Sequence, residues 1–130
     1  KLNTKKAMVV SSADNMDEIS ISDVTYCAFV DKTSIDEFVL DPREYGFKLY
    51  PKDQIEGGNA KENASITRGV LSGLITGAKR DIVILNTAVA LYVDDLAKSI
   101  KDGIKIATNT IDNGNAIKKL EDIIEISNNI

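Results

Sequence analysis

Val9-Val10-Ser11-Ser12-Ala13-Asp14-Asn15-Met16-Asp17-Glu18-Ile19-Ser20 is the stretch that decides how this chain is read. The apolar run Ala7 to Val10 is short and does not alternate, which predicts a strand buried on both faces. It stops at small polar residues and the turn-forming pair Asp14-Asn15, where backbone leaves a sheet readily. Two adjacent carboxylates, Asp17 and Glu18, come next, and an apolar–polar alternation resumes at Ile19-Ser20-Ile21-Ser22. The pair therefore falls on a loop between strands. One reading is a solvated loop end, the usual place for acidic side chains. The other is a foothold for a hard divalent cation such as Mg²⁺. That ion takes a few carboxylate oxygens and completes its shell with water and substrate phosphate.

Downstream, Thr25 to Val30 and Ile35 to Leu40 are rich in Val, Ile, Tyr and Phe and flank the polar Asp31-Lys32-Thr33-Ser34, which predicts a hairpin. Asp36 and Glu37 break the alternation of its second strand and suit an edge with one wet face. Asp41-Pro42-Arg43-Glu44-Tyr45-Gly46 reads as one helical turn, capped by Asp41, started by Pro42 and closed by Gly46. From Gly57 the pattern turns helical. Asn59 and Glu62 form the two ends of a capping box, ahead of an apolar stripe of Ile66, Val70, Leu71 and Leu74. Gly57-Gly58 reads first as a tight turn, with amide contact to a phosphate as the second reading. After a break at Gly73 to Gly77, Asp81 to about Val93 is apolar nearly all round and predicts a buried helix. Asn86 at its centre must then find hydrogen-bond partners in backbone or a neighbouring loop. Ser99 with Asp102 caps a third helix striped by Ile100, Ile104, Ala107 and Ile111. Asp112-Asn113-Gly114 ends it, and Ile117, Leu120 and Ile124 mark a fourth.

These 130 residues suit one domain with its own core, and 43% apolar with 28% charged residues is ordinary for a globular protein. A net charge of −4 argues against a nucleic-acid surface, which needs clustered Lys and Arg. No apolar run reaches the roughly 18 residues of a membrane span. The basic start Lys1-Leu2-Asn3-Thr4-Lys5-Lys6 lacks the apolar stretch of a signal peptide. It also lacks an initiator Met, as expected for a chain cut from something longer. The single cysteine, Cys27, lies in a predicted strand and reads as a small apolar filler; without a partner it points to a reducing cytoplasm. With no histidine, Ser-His-Asp catalysis and ordinary zinc sites are excluded within these residues.

Three segments go beyond a generic domain. They are Lys6 to Val10 leading to Met16-Asp17-Glu18-Ile19-Ser20, Gly57-Gly58-Asn59-Ala60-Lys61-Glu62-Asn63-Ala64, and Lys79 to Asn86 running into Ala90-Leu91, with later echoes at Ile111 to Ala116 and Lys118 to Leu120. In this order and spacing the chain resembles the C-terminal part of the anthranilate phosphoribosyltransferases, about the last third of such an enzyme. The resemblance implies the α/β catalytic domain of that family, α+β in this portion: a small sheet of the first strand and the hairpin, packed by about four helices. It also implies transfer of the phosphoribosyl group of phosphoribosyl pyrophosphate (PRPP) to anthranilate, with Mg²⁺ as cofactor. Asp17 and Glu18 match the family's Mg²⁺-binding Asp-Glu pair. A homodimer formed through an N-terminal helical domain is implied for the whole enzyme.

The family's Gly-Thr-Gly-Gly-Asp loop is absent from this chain, as are the anthranilate-contacting residues, so the chain alone is expected to be inactive. Missing segments are expected to add strands to the same sheet, leaving here an open edge or apolar face. Ser11-Ser12 stand where many members have His-Gly, Asp23 where glycine is common, and Asn59 where aspartate is common. The first change bears on the loop that presents Asp17 and Glu18. Two other readings are a nucleic-acid-binding paralogue without the transferase role, disfavoured by the acidic charge, and a pyrimidine nucleoside phosphorylase. Against the latter stand the Asp-Glu-Ile-Ser and Gly-Gly-Asn-Ala-Lys-Glu-Asn-Ala runs.

Overall fold

A computed structural model describes residues 5–129, so most of the basic start, Lys1 to Thr4, lies outside the described residues. Three strands, β1 (Lys6–Ser12), β2 (Thr25–Asp31) and β3 (Ser34–Leu40), form an antiparallel meander in the order β1-β2-β3. The predicted hairpin is present: Asp31 pairs with Ser34 across the two-residue turn Lys32-Thr33, and β3 is an edge strand. Helices α1 (Ala60–Leu71), α2 (Ala78–Val93), α3 (Ile100–Asp112) and α4 (Asn115–Asn128) follow. α2 meets the sheet at β1, α3 packs along α2, and α4 bridges α3 and α1. The core joins Ile19, Ile21, Cys27 and Leu40 to Ile82, Leu85, Ala88 and Val89 of α2 and to Ile100. Gly103 allows the close α2–α3 crossing, since a Cβ there would lie 2.5 Å from the carbonyl oxygen of Ala88.

Local chemistry sets the boundaries as the sequence predicts. Asp41 caps the turn Pro42–Tyr45 by accepting from the Arg43 N–H, and Gly46 closes it at φ 89°. The capping box of α1 is complete: Asn59 accepts from the amides of Lys61 and Glu62, while Glu62 accepts from the amide of Asn59. Ser99 caps α3 through the Asp102 amide. Gly114, at φ 80°, separates α3 from α4.

Four expectations change. β1 is not buried on both faces. Its register puts Met8, Val10 and Ser12 inward and Ala7, Val9 and Ser11 outward, and Val9 is 63% exposed. Tyr26, Ile35 and Val39 share that outer, exposed side, so the sheet presents an apolar face with Glu37 among it. The alternation at Ile19–Ser22 does not make a strand. It belongs to an irregular loop in which Ile19, Ser20 and Ile21 are all buried. Leu74 lies beyond the end of α1 and is 85% exposed, so it is not part of that helix's stripe. Finally, α2 starts at Ala78 rather than Asp81, because Gly77 at φ 74° already turns the chain into it.

Candidate functional site

Asp17 and Glu18 sit on the loop that carries the chain from β1 to β2, and both are exposed. The loop is irregular but not loose. Ala13 donates to the Val24 carbonyl at 2.9 Å and so prolongs the β1–β2 ladder across the loop's base. Asn15 takes a left-handed conformation, φ 63°, that asparagine tolerates better than most residues. Ser20, fully buried, accepts from the amides of Ser22 and Asp23 and donates to the Asp14 carboxylate at 3.0 Å. Thr25, at the start of β2, accepts from the Ser20 amide. Below the loop, Tyr50 donates its amide to the Ile21 carbonyl and its hydroxyl to Asp81 at 2.7 Å.

Two side chains close on the carboxylate pair from either side. The Ser12 hydroxyl accepts from the Met16 N–H at 2.6 Å and donates to the Met16 carbonyl at 3.1 Å. On the other flank, the Asn86 amide accepts from the Ile19 N–H at 3.1 Å and donates to the Ile19 carbonyl at 2.8 Å. Its second N–H goes to Ile82, one turn back in α2. This is the partner that the apolar helix required of Asn86. Asp17 and Glu18 are thus the two free residues between two pinned ones.

A third carboxylate of the loop, Asp14, faces inward. Burial pushes its carboxyl up, but the hydroxyls of Ser12 and Ser20 and the charge of Lys52 outweigh burial and hold it below the usual carboxylate range. Lys52 also bonds the Asp14 carbonyl. Asp14 therefore fastens the loop, and its other oxygen, Oδ1, is buried without a partner. Burial pushes the Cys27 thiol up, as fits an apolar filler.

Asp17 and Glu18 fit part of a hard-cation shell: adjacent, outward, and fixed at both flanks. Among the described residues no group of three or more His, Cys, Asp or Glu side chains is placed to hold a metal. The pair would hold such an ion only jointly with water and phosphate oxygens, the ordinary arrangement for Mg²⁺. The Gly57-Gly58 segment offers less. The amides of Gly58 and Asn59 are already taken by Asn63 and Glu62, and those of Lys61 and Glu62 by Asn59. A Cβ on Gly57 would lie 2.5 Å from Asn63 Oδ1, which accounts for glycine there as a close-packed turn. A surface cavity of about 450 Å³ floored by Phe29, Phe38, Tyr45 and Tyr92 includes neither carboxylate. None of the described helices is long and apolar enough to cross a membrane.

Comparison with known proteins gives a consistent picture. The sequence profile described as "Glycosyl transferase family, a/b domain" matches residues 1–117. An anthranilate phosphoribosyltransferase of Thermoanaerobacter sp. (strain X514) is 42% identical over 125 residues, covering 96% of this chain and 37% of that protein. Among solved structures, the Saccharomyces cerevisiae anthranilate phosphoribosyltransferase in complex with 4-fluoroanthranilate superposes with TM-score 0.87 at 28% identity, over 96% of this chain and 36% of that one. The same yeast enzyme in complex with PRPP and Mg gives 0.85 at 27%, over 95% and 35%. The chain thus spans a little over a third of the length of the relatives it matches.

Proposed function

This chain belongs to the glycosyl transferase family through its α/β domain, and on that premise we propose that it is the part of an anthranilate phosphoribosyltransferase that holds Mg²⁺ through Asp17 and Glu18. The whole enzyme would transfer the phosphoribosyl group of PRPP to anthranilate and release pyrophosphate. The observation that carries this reading is the match, along nearly the entire chain, to proteins named for that activity. Likeness to structures holding PRPP and Mg supports the choice of cofactor. Asp17 and Glu18 would hold the Mg²⁺, whose positive charge would stabilise a leaving pyrophosphate without any proton transfer. Asp17 and Glu18 orient that charge, and the tied loop spares the site a reorganisation when substrate arrives.

The rest of the whole enzyme would provide the pyrophosphate loop, the anthranilate contacts, further strands of the sheet and the helical domain for a homodimer. The test is phosphoribosyl transfer to anthranilate, followed with PRPP and Mg²⁺, by the longer protein that carries this sequence. Asp17→Ala with Glu18→Ala should lower kcat/KM at least about a hundredfold, the scale of losing one preorganised charge-stabilising group. The chain alone should show no turnover. Unchanged transfer by the double variant would remove the pair from the mechanism, and no transfer by the unaltered protein would overturn the function.

A further inference from the structure

From the bonds flanking the carboxylate pair we infer that Ser12 and Asn86 are positioning residues that preorganise the divalent-cation site, an inference that rests on the function proposed above. Each side chain does the same thing to a different residue. Ser12 exchanges both a donated and an accepted hydrogen bond with the backbone of Met16, and Asn86 does so with Ile19. The pinned residues are three apart, and Asp17 and Glu18 are the pair between them. Both anchors are themselves fixed. Ser12 ends β1 in register with Thr25 and is 5% exposed. Asn86 rides on α2, whose Leu85 and Ala88 are fully buried and whose crossing with α3 is tight at Gly103. Ile19, buried, adds a side-chain footing directly after Glu18. Carboxylates presented this way need little further ordering when a cation arrives, and groups that orient metal ligands commonly change metal affinity 10–100-fold when lost. Ser12 is where the sequence departs from the His-Gly of many family members. A glycine there has no hydroxyl, so the clamp on Met16 is particular to chains with a hydroxyl at that position.

The experiment is Mn²⁺ binding to the longer protein that carries this sequence, with inorganic pyrophosphate present, read by water-proton relaxation enhancement against a Mn²⁺–pyrophosphate blank, with amide hydrogen exchange at Asp17 and Glu18 as a second readout. Each variant is measured well below its own melting temperature. Ser12→Ala and Asn86→Ala should each weaken Mn²⁺ about tenfold and speed exchange at residues 17 and 18. Ser12→Thr, which keeps the hydroxyl, should restore affinity towards that of the unaltered chain. Should Asn86→Ala not fold, Asn86→Leu, close to asparagine in size and uncharged, removes the bonds to Ile19 and is expected to weaken binding in the same direction. Folded Ser12→Ala and Asn86 variants with unchanged Mn²⁺ affinity, alongside a loss of binding in Asp17→Ala with Glu18→Ala, would overturn the positioning role and leave the metal site standing. Mn²⁺ affinity indifferent to Asp17→Ala with Glu18→Ala, or no binding by the unaltered longer protein, would overturn the metal site and the positioning role together.

Discussion

Two asparagines in this protein make the same pair of bonds in opposite surroundings. Asn63 of α1 accepts from the Gly58 N–H at 2.8 Å and donates to the Gly58 carbonyl at 2.9 Å, on an exposed turn. Asn86 of α2 accepts from the Ile19 N–H and donates to the Ile19 carbonyl, where Ile19 is buried. Geometrically each amide stands in for one residue of a neighbouring strand. The energetics differ because water replaces Asn63 at little cost, whereas the backbone of buried Ile19, met by the half-buried Asn86, is less open to water. A hydrogen bond adds only about 0.5–1.5 kcal/mol net, but a buried group stripped of its partner loses about 1–3 kcal/mol. The clamp beside the carboxylates is therefore stiff for a reason that the clamp beside the glycines lacks.

That contrast is open to direct attack. Asn86→Ala should destabilise the chain by about 2–4 kcal/mol, since it orphans both the N–H and the carbonyl of Ile19. Urea denaturation measures it, and a loss near that of an exposed asparagine would erase the distinction. Ser12→Ala should cost about 1–2 kcal/mol by the same method, since both of its bonds to Met16 are only partly buried. Asp14 tests the loop by pH instead. Its folded carboxyl is held below the ordinary value near 3.9, so its contribution is fully present above about pH 4 and fades as pH falls through the lower folded value. Melting temperature should thus drop more gently below about pH 4 in Asp14→Asn than in the unaltered chain; an identical acid limb would remove Asp14 from the fastening of the loop. Asn63→Ala should shift stability least, by about 0.5 kcal/mol. A shift as large as that of Asn86→Ala would show that exposure does not decide the matter.

Local features were legible in the sequence and long-range ones were not. Asp41 and Gly46, the Asn59–Glu62 box and the Ser99 cap were readable because each is set by residues within five positions of one another. The stripe of α3 was readable because one side of a helix meets one neighbour, and Ile100, Ala107 and Ile111 are buried there as expected. The segment Ile19–Ser22 misleads for the converse reason. Its period of two imitates a strand, yet Ser20 is buried because a hydroxyl with three partners, one of them a carboxylate six residues back, satisfies itself inside the loop. At the candidate site the carboxylates themselves stand out as Asp17-Glu18, and Asn86 stands out as a polar residue in an apolar helix. What sequence could not supply was that Asn86 reaches Ile19, 67 positions away, or that Ser12 is more than a small residue at a strand end.

The outer face of the sheet has a practical consequence. Val9, Tyr26, Ile35 and Val39 lie open to solvent in the folded chain, with Glu37 the charged residue in their midst. Dyes such as anilinonaphthalene sulfonate, which brighten on apolar surface and are used to diagnose molten globules, should brighten on this chain in its native state. For this protein a bright dye signal would not distinguish a loosened core from an intact one, and near-ultraviolet circular dichroism of its tyrosines is the better witness to folding.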